Sequence, residues 1–284
     1  TLPASVMNDK NFELAYEYAN NDAKIIYREE AKTIENIEVR YDKIIQNVPV
    51  FDFINKLKGQ TFLEMKRRGK YLICVLNDYY LIVHLRMEGK FFYMTNSNYS
   101  THDHIIFKFK DSELRYNDTR KFGTMHLFKK DIDIYNTNPL NKLGKEPYDE
   151  GFDYLYLKPL FNKSSKPIKT TLLDQSIIAG LGNIYVDEVL FMSNIHPLQK
   201  TKELTDENLK DIVKNSIIVL NKAIKLGGTT IKSFQSSHDI TGRFQNELLV
   251  HTKTTCPTCK TKISKIRVGG RGTYYCEKCQ NLDK

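Results

Sequence analysis

Four cysteines near the end of the chain carry the clearest chemistry. Cys256 and Cys259 form one CxxC pair, Cys276 and Cys279 form a second, and Cys74 is the fifth cysteine. Thiolates on a tight knuckle can reach one ion, and two such knuckles complete the tetrahedral coordination of zinc. The spacing therefore predicts one structural Zn2+ per chain. Disulfide pairing is the alternative for the same residues, and it belongs to oxidising compartments. Between the pairs, SKIRV and GTYYC alternate as strands, with Gly269, Gly270, Arg271 and Gly272 expected to form the turn. The metal would then clamp the base of a hairpin and hold Arg271 at its tip. A guanidinium fork suits phosphate, and flanking glycines let a ligand come close to the backbone. So small a segment has too few apolar residues to fold without its metal.

Charge points the same way. Lys and Arg number 43 against 34 Asp and Glu, giving a net charge of +9, and the tail from Thr252 onward is strongly basic. A positive surface attracts a polyanion, because neutralised phosphates release their condensed counterions. An ordinary soluble basic protein is the other reading of charge alone. A second anion signal lies in AGLGN, where the turn Ala179-Gly180-Leu181-Gly182 precedes a helix and Asn183 is expected to cap it. Unpaired N–H groups at a helix start bind anions.

The elements that must position these residues fall into regions. KYLICVL, YLIVHL and HIIFKFK mark a strand-rich region over 1–140, in which Cys74 is an inert core thiol. The stretch from Thr170 to Pro197 reads as two helical segments around the glycine turn. Beyond it, Thr205 is expected to cap a helix with apolar positions Leu209, Ile212, Val213, Ile217, Leu220 and Ile224, ending at Gly227 and Gly228. These give a helical region over 141–250 and the cysteine hairpin over 251–284. The boundary of the first two falls near Pro139 to Pro147, and the whole is an α+β chain. The N-terminal stretch TLPASVMNDKNFELAYEY is not a basic-then-apolar signal, and apolar runs fall short of the ~18 residues of a membrane span. The chain is read as intracellular.

Taken together, the motifs resemble those of the bacterial formamidopyrimidine-DNA glycosylases, whose fold endonuclease VIII shares. The resemblance rests on RRGKYLI (67–73), HLRMEGK (84–90), HDH (102–104), NDTRKFGT (117–124), LGKEP (143–147), AGLGNIYVDEVLF (179–191), KLGG before Thr229, FQNELLVH (244–251) and the zinc hairpin, in consistent order. It implies an N-terminal β-sandwich, a helix-two-turn-helix domain, a zinc-ribbon hairpin and a DNA cleft between the lobes. It also implies a monomer in the bacterial cytoplasm, associated with the nucleoid. The expected activity is excision of oxidised purines such as 8-oxoguanine and formamidopyrimidines, followed by strand cleavage at the abasic site. The target base has to be flipped from the duplex.

At the matching positions, the resemblance assigns Lys70 to phosphate contact and proton transfer during elimination. Met87, Arg120 and Phe122 fill the space left by the flipped base and probe its partner; taken singly, Met87 and Phe122 are residues that more often belong to a core. His102 contacts DNA beside the lesion, and Asn183 binds phosphate. Lys169 stands near the lesion pocket, with a solvated lysine as the alternative. Arg271 grips phosphate and helps the final elimination.

One departure bears on the chemistry. The family begins its reaction with a terminal proline followed by glutamate in the pattern PELPEVE, the amine attacking C1′ to form an imine. The opening of this sequence offers Thr1-Leu2-Pro3 and, nearer the expected place, Glu13-Leu14. Three readings stay open: an active enzyme with a truncated or misread start, a damaged-DNA-binding relative without the nucleophile, and an unrelated nucleic-acid protein with a similar zinc ribbon.

Overall fold

The computed structural model describes residues 32–95, 98–228 and 243–282. Thr1, Glu13 and Leu14 lie outside the described residues, as does Thr229. The chain divides into two compact units, residues 32–141 in the first and 142–228 with 243–282 in the second.

In the first unit, alternating apolar residues build two antiparallel sheets. Strands β1 (Asn36–Val39), β2 (Glu64–Arg68), β3 (Tyr71–Val75), β4 (Tyr79–His84), β5 (Lys90–Met94), β6 (Asp103–Lys108), β7 (Glu113–Asn117) and β8 (Thr124–Lys129) pair in the orders β1-β6-β7-β5 and β2-β3-β4-β8. Leu72 and Cys74 on β3, Leu81 and Val83 on β4, Phe91 on β5, Ile105 and Phe107 on β6 and Leu114 and Tyr116 on β7 meet in one core. The period of two sends these side chains to one face, so both sheets close on a shared interior as the expected β-sandwich. Helix α1 (Val50–Leu57) adds Phe53 and Leu57 to the same core.

The second unit is helical. It contains α2 (Tyr154–Asn162), α3 (Ile168–Leu172), α4 (Asn183–Met192) and α5 (Asp206–Lys225). As the sequence implies, Thr205 caps α5: its hydroxyl accepts from the Asn208 N–H, and the Asn208 side chain returns the bond in a capping box. Leu209, Ile212, Val219, Leu220 and Ala223 then bury one face against Val186, Val189 and Leu190 of α4. The hairpin β9 (Ser264–Val268) and β10 (Arg271–Tyr275) belongs to this unit, and a small core of Phe191, Val250, Cys256, Ile263 and Cys276 joins it to α4.

Two local expectations are corrected. Gly269 and Gly270 alone make the hairpin turn, with φ of 55° and 78°, the left-handed pair that a two-residue turn between twisted strands requires. Arg271 is already in β10, opposite Val268. Asn183 does not cap α4: Gly182 takes the extended N-cap conformation and Asn183 is the first helical residue.

Candidate nucleic-acid interface and metal centre

In the first unit, two loops at neighbouring strand ends present an exposed apolar and cationic cluster. The β4–β5 loop carries Met87, 53% exposed, and the β7–β8 loop carries Phe122, 54% exposed. Arg120 joins them, its Nη1 3.1 Å from Met87 Sδ and its Cζ 4.7 Å from the Phe122 ring centroid. The structure thus brings Met87 to Arg120 and Phe122, more than thirty residues on in the sequence, and neither apolar member is in the core. Large apolar side chains left in solvent around one guanidinium mark a contact surface.

Buried polar groups hold these loops. Asp118 is fully buried: Oδ1 accepts from the Arg120 N–H, and Oδ2 accepts from the N–H groups of Phe122 and Gly123 and from the Tyr116 hydroxyl. His104 Nε2–H donates to the Asp118 carbonyl at 2.8 Å, and Asp118 N–H donates to the carbonyl of His102. His102 is half-buried and stands beside this loop through that backbone bond. On the other loop, Arg86 adopts φ 56° and donates its N–H to His84 Nδ1 at 2.9 Å. Burial first, then the charges of Arg86 and Lys70, hold His84 down at about 3, so the ring stays neutral and can accept. Lys70, in the β2–β3 turn, is thereby placed beside the strand that leads to Met87.

In the second unit, Asp187 and Glu188 form a hub inside α4. Asp187 Oδ1 pairs with Lys169 Nζ at 2.6 Å, and Oδ2 lies 2.6 Å from His251 Nδ1 and accepts the Tyr274 N–H. Glu188 accepts three backbone N–H groups, from Leu249, Val250 and His251. Lys169 is 0% exposed and also donates to the Asn183 carbonyl, so it is not a solvated lysine. Burial lowers its pKa most, Asp187 raises it again, and nearby Arg271 lowers it further. The Asn183 amide donates to the Gly272 carbonyl at 3.0 Å while its Oδ1 is buried without a hydrogen-bond partner. This bond, the Tyr274–Asp187 bond and a close approach of Gly269 to Thr170 fix the hairpin to the helices. Arg271 remains exposed.

The four paired cysteines converge as their spacing requires. Their Sγ atoms all lie within 4.8 Å of one another, with Cys259 to Cys276 at 3.4 Å and Cys256 to Cys279 at 3.8 Å. A tetrahedron with Zn–S bonds of ~2.3 Å has an S···S edge of about 3.8 Å, so the donor set fits zinc. Burial and then the neighbouring thiols hold the Cys279 thiol up at about 12, whereas hydrogen bonds from Thr261 hold Cys259 down at about 6, so a cation bound by the thiolates has protons to displace. Gln280 braces the knuckle by accepting from Cys276 N–H and donating to the Ile195 carbonyl. Cys74 is buried apart from the site, its thiol also pushed up to about 12 by burial.

Comparison with known proteins decides the affiliation. Three family models match: the formamidopyrimidine-DNA glycosylase N-terminal domain over residues 24–125, its H2TH domain over 143–235, and a zinc finger found in FPG and IleRS over 255–282. The formamidopyrimidine-DNA glycosylase of Exiguobacterium sibiricum is 45% identical over 256 residues, covering 88% of this chain and 92% of that protein. That of Bacillus cereus strain ZK is 45% identical over 254 residues, with the same coverage. The chain belongs to the formamidopyrimidine-DNA glycosylase family. Among solved members, Lactococcus lactis Fpg in complex with abasic-site DNA superposes with a TM-score of 0.86 at 40% identity, covering 94% of this chain and 98% of that one. The same protein bound to Fapy-dG DNA gives a TM-score of 0.84 at 39% identity, covering 95% of this chain and 99% of that one. The family's structural zinc is held in this chain by Cys256, Cys259, Cys276 and Cys279.

Sequence reasoning missed the residues that hold the family motifs in shape. Asp187, Glu188 and His251 act through partners distant in the sequence, whereas Asp118, Tyr116 and His84 act within their own loops, where only the folded turn shows what each side chain holds. Only Asp187-Glu188 left a signal, as two carboxylates in an otherwise apolar helix.

Proposed function

We propose that this chain is a base-excision-repair DNA glycosylase with AP lyase activity, removing 8-oxoguanine and formamidopyrimidines from duplex DNA in the bacterial cytoplasm, at the nucleoid. The observation that carries the reading is the exposed Met87–Arg120–Phe122 cluster on a chain of this family. Once a damaged nucleotide leaves the stack, Met87 and Phe122 fill the void and Arg120 hydrogen-bonds the orphaned base. Such insertion offsets the few kcal/mol that unstacking and unpairing cost. His102 contacts the strand beside the lesion.

Lys70 and Arg271 carry the charge chemistry. The Lys70 ammonium contacts phosphate and moves protons during elimination, and Arg271 holds phosphate from its rigid zinc-braced mount. Asn183 sits where the first turn of α4 offers backbone N–H groups to phosphate. Lys169 acts through Asp187, because its ammonium is buried and its charge keeps the hairpin and α4 in register. The protein works as a monomer, and its relatives solved with damaged DNA are consistent with duplex DNA as the partner.

The test is excision on duplexes containing one 8-oxoguanine opposite cytosine. Release of the damaged base and scission of the damaged strand alone support the reading. Tight lesion binding without base release makes the protein a damage-binding relative.

A further inference from the structure

The two wedge loops are set against each other by one buried oxygen. Tyr116, on β7, is fully buried, its ring packed edge-on to Phe91 at 5.4 Å and its hydroxyl directed away from the core towards both loops. A Cβ added at Gly89, the end of the Met87 loop, would lie 2.5 Å from that hydroxyl oxygen, and one added at Gly123, the end of the Arg120–Phe122 loop, would overlap it. The same oxygen donates to Asp118 Oδ2, the acceptor that gathers the Phe122 and Gly123 N–H groups. The oxygen thus bars a side chain at Gly123 and, together with the Leu85 carbonyl oxygen beside the same added Cβ, at Gly89; it is tied to the carboxylate shaping one loop while touching the other.

We infer that the Tyr116 hydroxyl is the spacer between the two loops, making Tyr116 a positioning residue for recognition of the base opposite the lesion. The inference rests on the proposed entry of Met87, Arg120 and Phe122 into the duplex. Arg120 probes the orphaned base only if Met87 and Phe122 stand at the right separation on either side of it. Without the oxygen, Gly89 and Gly123 both border an empty site and the loops can drift towards each other. The Phe122 and Gly123 N–H bonds to Asp118 remain, so the fold survives.

The decisive variant is Tyr116→Phe, compared with Phe91→Leu, which weakens the same core without touching the hydroxyl. Each is bound to duplexes holding a tetrahydrofuran abasic site opposite cytosine, adenine or a fluorescent cytosine analogue, and each is melted thermally. The expected result is that Tyr116→Phe keeps its overall affinity for the duplex within about twofold while its preference for cytosine over adenine falls about three- to tenfold, the scale of one net hydrogen bond. The fluorescence change of the opposing base should fall with it. Phe91→Leu should lower the melting temperature and leave the preference in place. An unchanged preference in Tyr116→Phe overturns the inference, and so does a loss in both variants that tracks melting temperature. Wild-type protein that fails to perturb the opposing base overturns the underlying reading as well, and that outcome is visible before any substitution is made.

Discussion

Arg120 lies between Met87 and Phe122, with Nη1 3.1 Å from the Met87 sulfur and Cζ 4.7 Å from the Phe122 ring. A cation held between two exposed apolar groups is poorly placed for folding energy and well placed for a duplex with a gap in its stack. Arg120→Ala should therefore leave the melting temperature nearly unchanged and weaken discrimination of the opposing base by about 1–3 kcal/mol, the range of one good base contact. Competition binding between duplexes differing only in that base measures it.

The hub around Asp187 predicts a different response. Asp187→Asn leaves the Lys169 ammonium buried without its counter-charge and should destabilise the protein by about 3–5 kcal/mol. Adding Lys169→Met should recover much of the loss, since removing both charges also removes the desolvation penalty. Equal melting of the single and double variants would show that the pair is not coupled.

These two sites also separate what the sequence makes legible from what it hides. Zinc ligands are readable because a CxxC knuckle fixes its own geometry, and α5 because the Thr205 cap and the apolar period are local. Asn183 reads as a cap, yet its amide is engaged by the carbonyl of Gly272, a partner supplied by the hairpin. Arg271 reads as a turn residue because three glycines surround it, whereas only Gly269 and Gly270 take positive φ. Burial of Lys169 follows from Asp187 on the next helix, and the role of Asp118 follows from loop closure. For Asn183 and Lys169 the difference is a tertiary partner that propensity and spacing do not encode, and for Arg271 and Asp118 it is the local turn geometry.

His84 gives the pH dependence. Its folded value of about 3 lies below its ordinary value of 6.5, so between them the unfolded chain binds the extra proton. Its contribution is fully present above about 6.5 and is lost as pH falls towards 3, with a slope of at most ~1.4 kcal/mol per pH unit. His84→Asn, which keeps an acceptor for the Arg86 N–H and does not titrate, should show a shallower acid-side fall in melting temperature.

Metal analysis of reduced protein should find one zinc per chain, and Cys276→Ser should abolish it. Because metal binding is folding energy in so small a module, the hairpin should lose its amide protection in hydrogen exchange. Retained protection in metal-free protein would contradict a structural role.

Phosphate contacts are counted by salt. Affinity for duplex DNA should fall with a slope of about −0.9 in log K per neutralised phosphate, and Arg271→Ala should reduce that slope by about one contact. An unchanged slope would remove Arg271 from the interface.

The central claim is that this chain performs covalent excision chemistry, and borohydride trapping tests it most directly. Full-length protein from its native cells, incubated with a duplex carrying 8-oxoguanine opposite cytosine, should be reduced onto the lesion strand as a stable adduct through an imine at C1′. Peptide mapping of the adduct then names the attacking amine. Tight, salt-sensitive binding of the same duplex with neither adduct nor base release would contradict the account and leave a protein that recognises damage without removing it.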